Sequence, residues 1–135
     1  METSPPIYIA TTIYNPTDDT IRFLTMTCSY EDFFLTDTAD FKVQQDNLCY
    51  SNYPTFITLP PKSKTDRYIT VRSAKTNFTP ADYVKYKIKI GMYLITWTKN
   101  LKYRDQHDLY ENRQKAEIIW SNDLELNKLY REIYK

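Results

Sequence analysis

The sequence predicts an all-β fold: an antiparallel sandwich of about seven strands, with a short helix at its C-terminal end. Three observations predict it. Apolar residues recur with period two through most of the chain. Short stretches of Asn, Asp and Pro separate those runs. No alternation of strand with helix is visible, which leaves two packed antiparallel layers as the natural way to bury the apolar faces.

In "IYIATTIY" (7–14), Ile7, Ile9, Thr11 and Ile13 share one face. "NPTDD" (15–19) reads as a turn, with Pro16 fixing one φ. In "TIRFLTMTC" (20–28), Ile21 and Phe23 lie on one face but Leu24, Met26 and Cys28 lie on the other, which implies a bulge or a strand buried on both sides. The two runs form a hairpin or lie in adjoining sheets. Residues 29–39 lose the pattern. "FKVQQ" (41–45), "TFITL" (55–59) and "RYITVRS" (67–73) restore it, with Tyr68, Thr70 and Arg72 opposing Ile69 and Val71. "TNFTPADY" is loop-like. "VKYKIKIGMYLITWT" (84–98) would span about 50 Å as one strand at ~3.3 Å per residue, so a bend or bulge is expected at Gly91. "KAEIIWS" (115–121) is the last strand. In the tail 122–135, Leu126, Leu129, Tyr130 and Ile133 have helical spacing, and Asn122 with Glu125 resembles a capping box. The rival reading lets "DLEL" continue the last strand. The domain is therefore expected over 7–121, with 1–6 as a tether.

A chain of 135 residues suits one domain with a core that needs no staple. Thirteen tyrosines, six phenylalanines and two tryptophans argue for folding despite the hydrophilic average. The single glycine, Gly91, excludes glycine-rich phosphate cradles. A net charge of +1 supplies no field that would gather nucleic acid or an anionic membrane. No apolar run approaches the roughly 18–20 residues of a membrane span. The first residues lack the form of a signal peptide. The start is read as that of a mature secreted or periplasmic chain, with a lipid anchor upstream as a further expectation and a cytoplasmic chain as the alternative.

Asp82 and Tyr86, in "TPADYVKYKI", have the spacing of the tyrosine corner of immunoglobulin-like domains, at the start of a long strand. With the order of elements, the chain resembles immunoglobulin-like sandwich modules of uncharacterised secreted bacterial proteins. Ile88 stands where antibody domains carry a cysteine, so the resemblance is not to antibody-type domains. It implies a fold and no activity. Asn15-Pro16-Thr17 is similar to a loop of chagasin-type protease inhibitors, whose further glycine-rich loop one glycine cannot supply.

Cys28 and Cys49 are the only cysteines and His107 the only histidine. Structural zinc needs four ligands, usually with close cysteine pairs, and a cysteine nucleophile needs a nearby base. Neither pattern is present. Two readings remain: a disulfide in an oxidising compartment, or two buried thiols. Glu31, Asp32, Asp37 and Asp40 lack calcium-loop spacing and read as a solvated acidic loop. Lys85, Lys87 and Lys89 read as a soluble strand face that does not bind nucleic acid. The expectation is a non-enzymatic recognition or structural module without cofactor or metal. Its ligand would be a protein or glycan, held by Tyr30, Phe33, Phe34, Tyr103, His107 and Tyr110, since tyrosine gives large contact area at low entropic cost. The alternative is a small inhibitor or immunity protein that blocks a partner enzyme.

Overall fold

The computed structural model describes residues 6–45, 49–75, 80–83, 85–96, 110–111, 113 and 115–126. The fold is all-β and antiparallel. The strands are β1 (Ile7–Tyr14), β2 (Ile21–Met26), β3 (Phe34–Thr36), β4 (Phe41–Gln44), β5 (Pro54–Leu59), β6 (Lys64–Ser73), β7 (Lys87–Ile88), β8 (Ile90–Leu94), β9 (Glu117–Trp120) and β10 (Leu124–Glu125). Among the described residues ten short strands replace the expected seven or so, because the run 84–98 breaks in two and the 29–39 segment and the tail each add a short strand. A 3-10 turn covers Tyr30–Phe33, and a four-residue helix, Pro80–Tyr83, occupies the stretch expected to be a loop.

One layer is the sheet β1–β6–β4. Its register places Ile7 opposite Val71, Ile9 opposite Ile69, and Val43 opposite Val71, so these side chains share one face. The other layer is built from β5–β2, β3–β8–β9 and β7–β10. It is joined where Leu24 N–H donates to Ile95 O (2.9 Å) and Phe23 bridges Thr96. Phe23, Phe34, Leu59, Ile88, Ile90, Met92 and Leu126 meet Ile7, Ile9, Phe41, Ile69 and Val71 of the first sheet in one buried cluster.

β1 and β2 are neighbours in sequence but lie in different sheets. Asn15 makes the crossing possible. It is fully buried, and its Nδ2 donates to Asp19 O (2.7 Å), Leu59 O (3.0 Å) and Pro60 O (3.2 Å). Its Oδ1 accepts from the backbone and hydroxyl of Thr17 (3.0 and 2.7 Å). One side chain therefore ties the β1–β2 turn to the β5–β6 turn, which crosses between the layers at the same end. In that second turn Lys62 takes a left-handed φ of 61° after Pro61, the position a type II turn usually gives to glycine. The Lys62 ammonium bonds to Pro16 O, a third tie between the turns.

The change of parity in the second strand resolves as burial on both faces. Phe23 enters the main cluster, while Leu24 and Met26 join Phe33 and Ile95 in a second cluster on the outer side, covered by Phe56, Tyr93, Tyr110 and Ala116.

The long run 84–98 does break, but at Lys89 and not at Gly91. Two side chains take over the ladder there. Lys89 N–H donates to Asp37 Oδ1 (2.9 Å) while Lys89 O accepts from Asp37 N–H (3.2 Å). Ile90 N–H donates to Ser121 Oγ (2.9 Å) while Ile90 O accepts from Ser121 N–H (2.8 Å). Gly91 lies in regular ladder opposite Trp120. In the tail, Leu124–Glu125 is a separate short strand on β7, after a break at 121–123, so it is neither a helix starting at Asn122 nor an unbroken continuation of β9. The expected helix beyond Leu126 lies outside the described residues.

Candidate functional site

Cys28 and Cys49 form a disulfide, with Cα atoms 6.0 Å apart. The strand β2 ends here because Asn52 replaces its partner. Asn52 Oδ1 accepts from both Cys28 N–H and Ser29 N–H (3.1 Å each), and its Nδ2 donates to Ser29 Oγ (2.7 Å). Thr27 N–H donates to Tyr53 O (2.9 Å) and Tyr53 N–H to Thr27 Oγ1 (3.1 Å). Ser29 Oγ lies 3.3 Å from the Tyr110 hydroxyl, which also bonds to the Asp32 carboxylate. Arg113 donates to Asp32 O (2.6 Å) and lies over the rings of Tyr93 and Tyr110 (5.4 and 5.1 Å). Glu31 and Asp32 are therefore not part of a solvated loop, whereas Asp37 is exposed and Asp40 pairs with Lys75 at the surface. Glu31 is buried, Asp32 holds Tyr110 and Arg113, and Asp37 completes the broken ladder.

This network corrects the expected contact surface. Phe33 is only 1% exposed and Phe34 8%, so both are core side chains. The physical reason is the 3-10 turn: it rotates Phe33 into the outer cluster, where it stacks on Tyr110 (centroids 5.8 Å, planes at 11°), and starts β3 with Phe34 pointing inward. Tyr110 is half-buried by the same stack. Tyr30 donates its hydroxyl proton to Tyr68 O (2.7 Å). Burial, and then the Glu31 carboxylate, push its hydroxyl above the ordinary tyrosine range, with Arg67 opposing. Tyr103 and His107 lie outside the described residues. Tyr86 packs edge-on against Phe41 (5.1 Å), and its hydroxyl receives Lys75 Nζ (3.4 Å). Asp82 sits in the short helix before it.

Exposed aromatic rings lie beside this network, at Tyr50 and Tyr53, and as a group on the other sheet. On the solvent face of β1–β6–β4, Tyr8 is 57%, Tyr14 54% and Tyr68 69% exposed. Tyr8 stands opposite Thr70 and Tyr68 opposite Ala10, so the two rings are diagonal neighbours, within reach of each other at about 7–8 Å between backbones. Gln44 flanks Thr70 from the other side, and Arg72 Nε bonds to Gln44 Oε1. Thr70 is buried although it faces outward, because long side chains flank it on both neighbouring strands. Lys42, Lys64 and Arg72 against Asp66 make this face mildly basic. The sequence carried the signal: the tyrosines occupy the positions of β1 and β6 that alternate with the buried isoleucines.

Among the described residues, no group of three or more His, Cys, Asp or Glu is placed to hold a metal ion, and no helix is long and apolar enough to cross a membrane. Compared with known proteins, the chain matches no protein-family model and no curated protein.

Proposed function

We propose that the protein is a non-enzymatic recognition module, immunoglobulin-like and secreted or periplasmic, and that it binds through the tyrosine-bearing face of β1–β6–β4. The observation that carries this reading is the exposure of Tyr8, Tyr14 and Tyr68 on one sheet face beside Arg72 and Lys42. Rigid strands hold the rings, so binding them costs little ordering entropy. The Cys28–Cys49 disulfide supports an oxidising compartment. The sheet β3–β8–β9, in which a late antiparallel pair adds to an early strand, supports the immunoglobulin-like reading. Pairing of β2 with β5 and of β1 with β6 departs from the usual strand order of that fold.

The test is a screen of the folded protein against glycan and peptide arrays, with Tyr68→Ala run in parallel. Ligands retained by the wild type and lost by the variant are expected. Equal retention by both would place recognition on another surface.

A further inference from the structure

β1 is an edge strand of its sheet. Edge strands normally discourage pairing with charges, prolines or short length. β1 has none of these defences. Its eight residues, "IYIATTIY", contain no charge, no proline and no glycine. Asn15 N–H donates to Ser63 O, so residue 15 belongs to a hydrogen-bonded pair. Bonded and non-bonded pairs alternate along an antiparallel ladder, so the odd residues of β1 bond to β6. The even residues Tyr8, Ala10, Thr12 and Tyr14 turn their N–H and C=O groups toward the open edge. No strand among the described residues pairs with that side.

The edge is also self-complementary. From Tyr8 to Tyr14 the sequence is "YIATTIY", which reads almost identically in both directions about Thr11. We propose that β1 pairs antiparallel with β1 of a second copy of this chain, across a two-fold axis at Thr11. Tyr8 then stands opposite Tyr14 of the partner subunit on the solvent face, and Ile9 opposite Ile13 of the partner subunit on the inner face. Ala10 stands opposite Thr12 of the partner subunit. The even residues, whose backbone groups point outward, become the hydrogen-bonded pairs, as the ladder requires. The two three-stranded sheets merge into one of six strands. With no charge in β1, this pairing brings no like charges together.

A cavity of about 150 Å³ opens along the same edge, between Thr12–Tyr14 of β1 and Ile119–Trp120 of β9, over Phe34. No charged side chain lines it. Inner-face burial on β1 falls from complete at Ile7 to partial at Thr11 and Ile13, which is where the axis passes. Trp120 and Ile119, 46% and 39% exposed, lie along the edge that the second copy covers.

Sedimentation equilibrium of the full chain at about 100 µM tests the pairing, since a dimer with a micromolar Kd is mostly assembled there. The proposal expects a dimer for the wild type. Ala10→Lys with Thr12→Lys places lysine opposite lysine twice and is expected to give a monomer. Ala10→Glu with Thr12→Lys places opposite charges together at the same two positions and is expected to keep the dimer. Both positions are solvent-exposed, so neither variant disturbs the core. A monomeric wild type, including one that pairs its edge only with a strand from another protein, overturns the proposal. A dimeric lysine–lysine variant overturns it as well.

Discussion

Gly91 and Trp120 face each other across the β8–β9 ladder so closely that a Cβ on Gly91 would lie 2.8 Å from the indole ring. Ile118 would be 2.9 Å away on the other side. Ser121 N–H bonds to Ile90 O, so the Gly91–Trp120 pair falls on the non-bonded rung, where side chains are closest. The only glycine of the chain therefore serves to let a neighbouring ring lie flat across its strand. It does not make a bend.

Gly91→Ala is expected to lower stability by about 1–3 kcal/mol, the usual cost of overpacking. Urea unfolding measures it. Trp120→Ala should recover part of the loss when combined with Gly91→Ala, because it removes the ring side of the clash and leaves Ile118 in place. Simple additivity of the two changes would contradict the steric explanation.

Asn15 holds the two turns that pass between the layers. Asn15→Ala removes both its donor and its acceptor from a buried site and leaves Leu59 O without the amide it faces. The expected loss is about 2–3 kcal/mol in chemical denaturation. Loss of under half a kilocalorie would mean that water replaces the side chain there.

The disulfide closes a loop of 21 residues, which in the chain-entropy model stabilises the fold by about 3 kcal/mol. Paired melts with and without reductant should show that difference, and Cys28→Ser with Cys49→Ser should match the reduced wild type. A double-serine variant as stable as the oxidised protein would contradict this role.

Tyr30 gives a pH dependence of definite sign. Its ionisation is raised in the folded state, chiefly by burial, and its proton is the one donated to Tyr68 O. Its contribution is complete below the unfolded tyrosine value of about 10 and is lost as pH rises through the higher folded value. Stability should therefore fall more steeply above pH about 10 in the wild type than in Tyr30→Phe. Parallel alkaline limbs in the two proteins would rule the contribution out.

Period-two patterning made most strands of both layers legible, though not β3, because alternation follows directly from the pleat. It identified the buried faces of β1 and β6 and, by difference, the tyrosines on their outer side. It could not show pairing. A hairpin and a step between adjoining sheets fitted β1 and β2 equally well in sequence, and the amide of Asn15, whose carbonyl acceptors come from its own turn and from the distant β5–β6 turn, goes with the second. Phe33 and Phe34 looked free to bind because their spacing fits no period. A single 3-10 turn buries both, and its clamp by Tyr110 and Arg113 depends on residues some 80 positions away. The break at Lys89 was legible as a length problem, but its location was set by Asp37 and Ser121 supplying side-chain acceptors.

Recognition through the tyrosine face is tested most directly by measuring ligand binding and melting temperature in the same samples of Tyr8→Ala with Tyr68→Ala and of Phe33→Ala. The expected result is that the tyrosine pair loses binding at an unchanged melting temperature, while Phe33→Ala melts far lower and keeps affinity at temperatures where it stays folded. Full binding by the tyrosine double variant would contradict the assignment of that face.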